Sequence, residues 1–152
     1  MRLIRRITAL IAALAAGCAM TVAIAPSAVA ADWPTCNAWS WDQVLGQADS
    51  FARVPSVGQF TGRINCQLKL GDFDNTGVAV LQWLSLNTCH GAGLEVDGDY
   101  GPLTSNAVKF IQAGSHLPPA DGVYEPGTRR FALRWAAWHF PGETPIGCQF
   151  VR

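Results

Sequence analysis

Asp97, Gly98, Tyr100, Pro102 and Thr104 lie in the run VDGDYGPLTSNAVKFIQ, and the same residue types return in ADGVYEPGTRRFAL as Asp121, Gly122, Tyr124, Pro126 and Thr128. A carboxylate, a phenol and a hydroxyl at fixed spacing can accept and donate hydrogen bonds, but none of them is a nucleophile with a base beside it. Local physics assigns each a task. Gly98 permits a backbone turn that other residues resist, and Asp97 can accept from backbone N–H groups near it. Pro102 suits a first helical position, where its missing N–H costs nothing. Thr104 falls in the first turn, and Tyr100 offers an apolar ring with a polar tip. The element reads as a helix-starting device that is used twice.

Bond-breaking chemistry is thinly supplied. His90, His116 and His139 stand apart from one another, with no His-Glu-x-x-His or other paired-ligand spacing. Asp72 with Asp74, and Asp97 with Asp99, are two apart, but a calcium loop starting at Asp72 would need Glu where Trp83 stands. No Cys-x-x-Cys supports zinc. A carboxylate pair for glycoside hydrolysis needs a long cleft, and too little chain flanks the repeated region to build one. The expectation is a protein that is not an enzyme, with no catalytic residue, metal or cofactor.

The elements that position the repeat follow from composition. MRLIRR, an apolar run over residues 7–25 and the small-residue site Ala28-Val29-Ala30 predict a secretory signal peptide over residues 1–30. The alternatives are a membrane-anchoring helix and a lipid-bearing Cys18 in LAAGC. Both are disfavoured, by the lack of a basic stop and by Ala15 where Leu is usual. The exported chain, residues 31–152, suffices for one domain with a modest core. The eleven Lys and Arg lose the three of the signal and face eleven Asp and Glu, which leaves a net charge of −3. That balance argues against nucleic acid and anionic lipid. Cys36, Cys66, Cys89 and Cys148 remain, an even set that implies two disulfides in one of three connectivities. Cys66–Cys89 and Cys36–Cys148 are the expected pairs, the first bracketing a helix and the second tying the ends together.

Residues 31–65 read as an irregular N-terminal extension, in which WSWDQVLGQADSF starts a short helix and GRINCQLKL suits a strand. Residues 66–140 carry the pattern, with helices expected over 76–87, 102–113 and 126–138. Residues 141–152 read as a tail tied back by Cys148. The fold class expected is all-α: a small three-helix bundle of two partial repeats, with a short irregular N-terminal cap and two disulfides. Trp135 and Trp138, at helical spacing, are expected to fill the core or pack the N-terminal cap; the alternative is that Trp33, Trp39, Trp41, Trp135 and Trp138 form a sugar-stacking strip on the flanks.

The motifs V-x-x-L-Q (Val78, Leu81, Gln82), V-D-G-x-Y-G-P-x-T (Val96 to Thr104), A-V-x-x-I-Q (Ala107 to Gln112) and A-D-G-x-Y-x-P-x-T (Ala120 to Thr128) resemble the peptidoglycan-binding domain of bacterial cell-wall enzymes. The likeness spans roughly residues 70–135. It implies a three-helix module that binds cell-wall polymer without catalysis, here in a stand-alone secreted form associated with the wall. On that resemblance Trp83, Tyr100 and Tyr124 would stack on sugars, and the N–H groups of Leu103, Thr104 and Ser105 would face stem-peptide carboxylates. Gln82 and Gln112 would match stem amides or bond between helices, and Asp97 joins the expected binding set, the alternative being that it satisfies the loop's own N–H groups. Ser85 and Glu125 depart from the family pattern. The implied partner is peptidoglycan, through its glycan strand or stem peptide, with the protein a monomer that has no stable membrane anchor and no nucleic-acid ligand. The competing expectation is a secreted, disulfide-stapled interaction or inhibitor protein; a third is an accessory part of a cell-wall hydrolase.

Overall fold

The computed structural model describes residues 32–152, so the signal-peptide cleavage and the Cys18 alternative lie outside the described residues. A four-stranded antiparallel sheet in the order β1-β2-β3-β4 packs on a helical unit, and this overturns the all-α three-helix bundle. The strands are β1 (Ala38–Gln43), β2 (Ser50–Ser56), β3 (Trp135–His139) and β4 (Thr144–Gln149). The sheet takes two strands from each side of the repeated region. Val151, just beyond β4, bridges antiparallel to Val44, just beyond β1, so the sheet closes on itself at one end.

The expected helix in WSWDQVLGQADSF is instead β1, a turn and the start of β2. Side chains alternate across a strand. In β1 the buried positions are Ser40 and Asp42, while Trp39 and Trp41 lie half-buried on the opposite face. The polar residues point inward, which inverts the usual pattern. Each inward group has a partner: Ser40 Oγ donates to Ser56 Oγ at 3.1 Å, and Asp42 meets the Arg129 guanidinium. GRINCQLKL forms only isolated bridges, Gln67 to Thr35 and Leu68 to Tyr124.

The first two helical expectations match the observed spans. Helix α1 (Thr76–Val80) starts at Asn75, whose Oδ1 accepts from the N–H groups of Gly77 and Val78 at 2.8 and 3.3 Å. It runs on without a break as a π-helical segment, Leu81–Asn87. The wider winding brings Gln82, Ser85 and Leu86 inside together with Leu81 and Leu84. The departure at Ser85 has a purpose here, because its Oγ donates to the Arg134 carbonyl at 2.8 Å and joins this helix to β3. Helix α2 (Pro102–Gly114) has Pro in its first turn, as expected.

The third helix is cut short. A π-helical turn, Thr128–Ala132, ends where Leu133 becomes extended, with φ −91° and ψ 137°. WAAWH then alternates: Trp135 and Ala137 are buried, Ala136 and Trp138 half-buried. Trp135 and Trp138 therefore lie on opposite faces of a strand, and only Trp135 is core, packed against Tyr124. The expected C-terminal tail is β4, hydrogen-bonded to β3.

The disulfides are Cys36–Cys66 and Cys89–Cys148, which corrects both expected pairs. Backbone pairing decides the first. Cys36 N–H donates to the Gln67 carbonyl and Gln67 N–H to the Pro34 carbonyl, both at 2.9 Å, which sets Cys36 beside Cys66. The second joins the end of the π-helical segment to β4. Among the described residues no helix is long and apolar enough to cross a membrane.

Candidate functional site

The repeated element folds twice into one hydrogen-bond network. Gln82 Nε2 donates to Asp97 Oδ1, the Asp99 carbonyl and Thr104 Oγ1 at 2.7, 3.1 and 3.2 Å. Its Oε1 accepts from Gly98 N–H at 3.0 Å. Gln112 repeats the set on Asp121 Oδ1, the Val123 carbonyl and Thr128 Oγ1 at 3.2, 3.0 and 3.0 Å, and accepts from Gly122 N–H at 2.8 Å. The glycines are required: Gly122 has φ 80°, and a Cβ there would lie 2.6 Å from the Ser105 carbonyl. The Asp99 N–H, and then the Gln82 amide, hold the Asp97 carboxyl below its ordinary range.

These groups are spent on one another. Gln82, Tyr100, Thr104, Gln112 and Tyr124 are all at most 3% exposed, so they hold the turns against the helices and present nothing to a polymer. Burial pushes the Tyr100 and Tyr124 phenols well above their usual range. The Ser105 N–H donates within its own helix, to the Gly101 carbonyl at 3.0 Å. Trp83, Asp97 and Leu103 stay at the surface. The depression beside Leu103 is lined by His90, Leu94, Ala107 and Phe110 and includes none of the other eight residues. The structure thus does not gather the expected groove.

What it gathers instead is an aromatic face on the sheet. The register sets Trp39 opposite Pro55, Trp41 opposite Arg53, and Phe51 opposite Trp138. The rings meet edge to face: Trp39–Trp41 at 5.7 Å, Trp41–Trp138 at 6.3 Å, Trp41–Phe140 at 5.4 Å and Phe51–Phe140 at 5.8 Å. Trp41, Phe51 and Phe140 line a shallow apolar depression of about 340 Å³. These rings form a contiguous, half-exposed apolar patch, the kind of surface on which binding sites are found in other proteins. The Trp content signalled such a patch in the sequence, but the face exists only once β1 and β3 are known to be strands.

Two polar pairs were not visible in the sequence. Arg129, 2% exposed, donates to Asp42 Oδ2 and to the Arg152 carbonyl, clamping the helical unit to both edge strands where the sheet closes. Burial pushes the Asp42 carboxyl up while the Arg129 charge pulls the other way. Ser50 Oγ and His139 Nδ1 lie 3.2 Å apart, a pairing that on a surface would suggest a nucleophile and its base. Ser50 is 1% exposed, so its hydroxyl is closed to any substrate. His90 accepts the Arg134 N–H on Nε2 at 3.0 Å.

No family model, no curated protein and no solved structure matches the chain. The likeness to peptidoglycan-binding domains rests on the motifs quoted above.

Proposed function

We propose that the chain is an exported, non-catalytic module that binds bacterial cell-wall peptidoglycan, and that the aromatic face of the sheet holds the glycan. The observation that carries this reading is the cluster of Trp39, Trp41, Trp138 and Phe140 on one half-exposed face. Sugar rings present flat C–H faces that stack on aromatic rings, and a shallow depression suits a strand lying across it rather than a buried small molecule. The doubled Gln–Asp–Gly–Thr network supports the cell-wall assignment through its resemblance, as scaffold and not as contact surface. Titrating residues 31–152 with soluble peptidoglycan oligosaccharides while following Trp fluorescence tests it. Saturable change is expected, because three of the chromophores would lie under the ligand.

A second reading, a protein-interaction partner, is favoured by one observation. Leu103 and Phe110 on α2 are 74% and 80% exposed, and Phe131 is 63% exposed. A soluble protein partner would be expected on that side, and it would leave the sheet face untouched.

A further inference from the structure

Resting on the cell-wall reading above, we infer that the aromatic face selects a glycan bearing free carboxylates, and that Arg53 is the residue that reads them. Arg53 lies across from Trp41 in the β1–β2 register. Its guanidinium carbon stands 4.8 Å from the Trp39 ring centroid, 4.9 Å from Trp41 and 5.7 Å from Trp138. Its Nε is buried without a hydrogen-bond partner. The only salt bridge among the described residues joins Asp42 to Arg129, so the Arg53 charge has no carboxylate of its own. None of the residues lining the adjacent depression is acidic.

A guanidinium held among indole rings is attracted to their faces and still offers N–H donors in its own plane. Such an edge matches a carboxylate, and a charge-assisted pair partly shielded by aromatic rings is stronger than one in open water. A sugar stacked on Trp41 that carries an acid group would bring its charge to Arg53. In peptidoglycan the group of that kind on the glycan itself is the lactyl carboxylate of muramic acid, which is free wherever the stem peptide has been removed. The face is therefore expected to bind the cell-wall glycan generally and to prefer its peptide-free stretches. Chitin shares their acetylated amino-sugar backbone but has no acid.

Calorimetric titration of residues 31–152 with peptide-free muramic oligosaccharides, chitin oligosaccharides of equal length and hexuronic-acid oligosaccharides tests the assignment. The muramic ligand is expected to bind about tenfold more tightly than chitin, one good charged hydrogen bond's worth. In Arg53→Gln that ratio is expected to fall to about one. The ratio is taken within one variant, so partial loss of folded protein does not distort it. Equal affinities in the unsubstituted protein, or a ratio that survives Arg53→Gln, would overturn the role of Arg53 while leaving a glycan-binding face. Uronate bound as tightly as the muramic ligand would overturn the muramic assignment. If none of the three binds, the cell-wall reading fails and this inference fails with it.

Discussion

Tyr100 donates its phenolic hydrogen to the Gly122 carbonyl at 2.8 Å, so the first copy of the repeated element is fastened to the second. Its counterpart Tyr124 is equally buried, but its hydroxyl has no partner. Two tyrosines in matching positions therefore have different energetic roles. Tyr100→Phe is expected to cost about 1 kcal/mol, and Tyr124→Phe to be neutral or slightly stabilising. Urea denaturation of the two variants checks this, and equal losses would contradict the difference in bonding.

The Asp42–Arg129 pair lies where the helical unit meets the closed end of the sheet. Removing one partner leaves the other charged and buried. Asp42→Ala is expected to cost about 3–5 kcal/mol, whereas replacing both residues with apolar ones of similar volume recovers most of that loss. Denaturation of the single and double variants measures the difference. A double variant no more stable than Asp42→Ala would show that the site needs the ion pair itself.

Peptide mapping of the oxidised protein is expected to yield Cys36–Cys66 and Cys89–Cys148. Their sequence separations, 30 and 59, place the loop-closure contribution of each at about 4 kcal/mol. Cys89→Ala with Cys148→Ala is then expected to lower stability by about that amount and leave the first bridge intact. Recovery of a Cys66–Cys89 peptide would refute the connectivity.

Burial, and secondarily the nearby Arg134 charge, lower the pKa of His90. The unfolded chain therefore takes up the His90 proton more readily than the folded one. This contribution to stability is complete above the ordinary value of 6.5 and is lost as pH falls through it towards the lower folded value. The urea midpoint is expected to drop between pH 7.5 and 5.5, with a smaller drop in His90→Asn. Asp97 acts in the same direction at lower pH: its depressed carboxyl stabilises the fold above 3.8, and that is lost as pH falls through its folded value.

Helix positions were legible where local chemistry alone decides them. Pro102 suits a first helical turn and stands in that of α2, and the polar residues before Val78 end in Asn75 and Thr76, where Asn75 caps α1. The doubled motif was legible as a device for starting helices, but α2 has no side-chain cap, and Asp97 and Thr104 serve by bonding the turn to Gln82. The sheet was not legible, because its signals point the wrong way. β1 buries Ser40 and Asp42, so its apolar residues mark the outer face and periodicity names the wrong side. In β3, Trp135 and Trp138 stand three apart, which fits a helical stripe as well as the two faces of a strand. Two partners that settle these cases are distant in sequence: Arg129, 87 residues from Asp42, and β2, whose Ala52 pairs with Ala137 of β3. The candidate site shared that fate. Its Trp residues could be counted, but the face they make depends on a register that only the folded sheet defines.

The most direct test of the central claim is co-sedimentation of oxidised residues 31–152 with purified insoluble peptidoglycan, run with Trp41→Ala and Phe110→Ser, each confirmed folded. The account predicts that the unsubstituted protein and Phe110→Ser go to the pellet, and that Trp41→Ala loses at least about tenfold in affinity, as truncating a central aromatic contact does. Trp41→Ala pelleting as well as the unsubstituted protein would take the glycan off the sheet face. Unsubstituted protein left in the supernatant would contradict the cell-wall reading altogether.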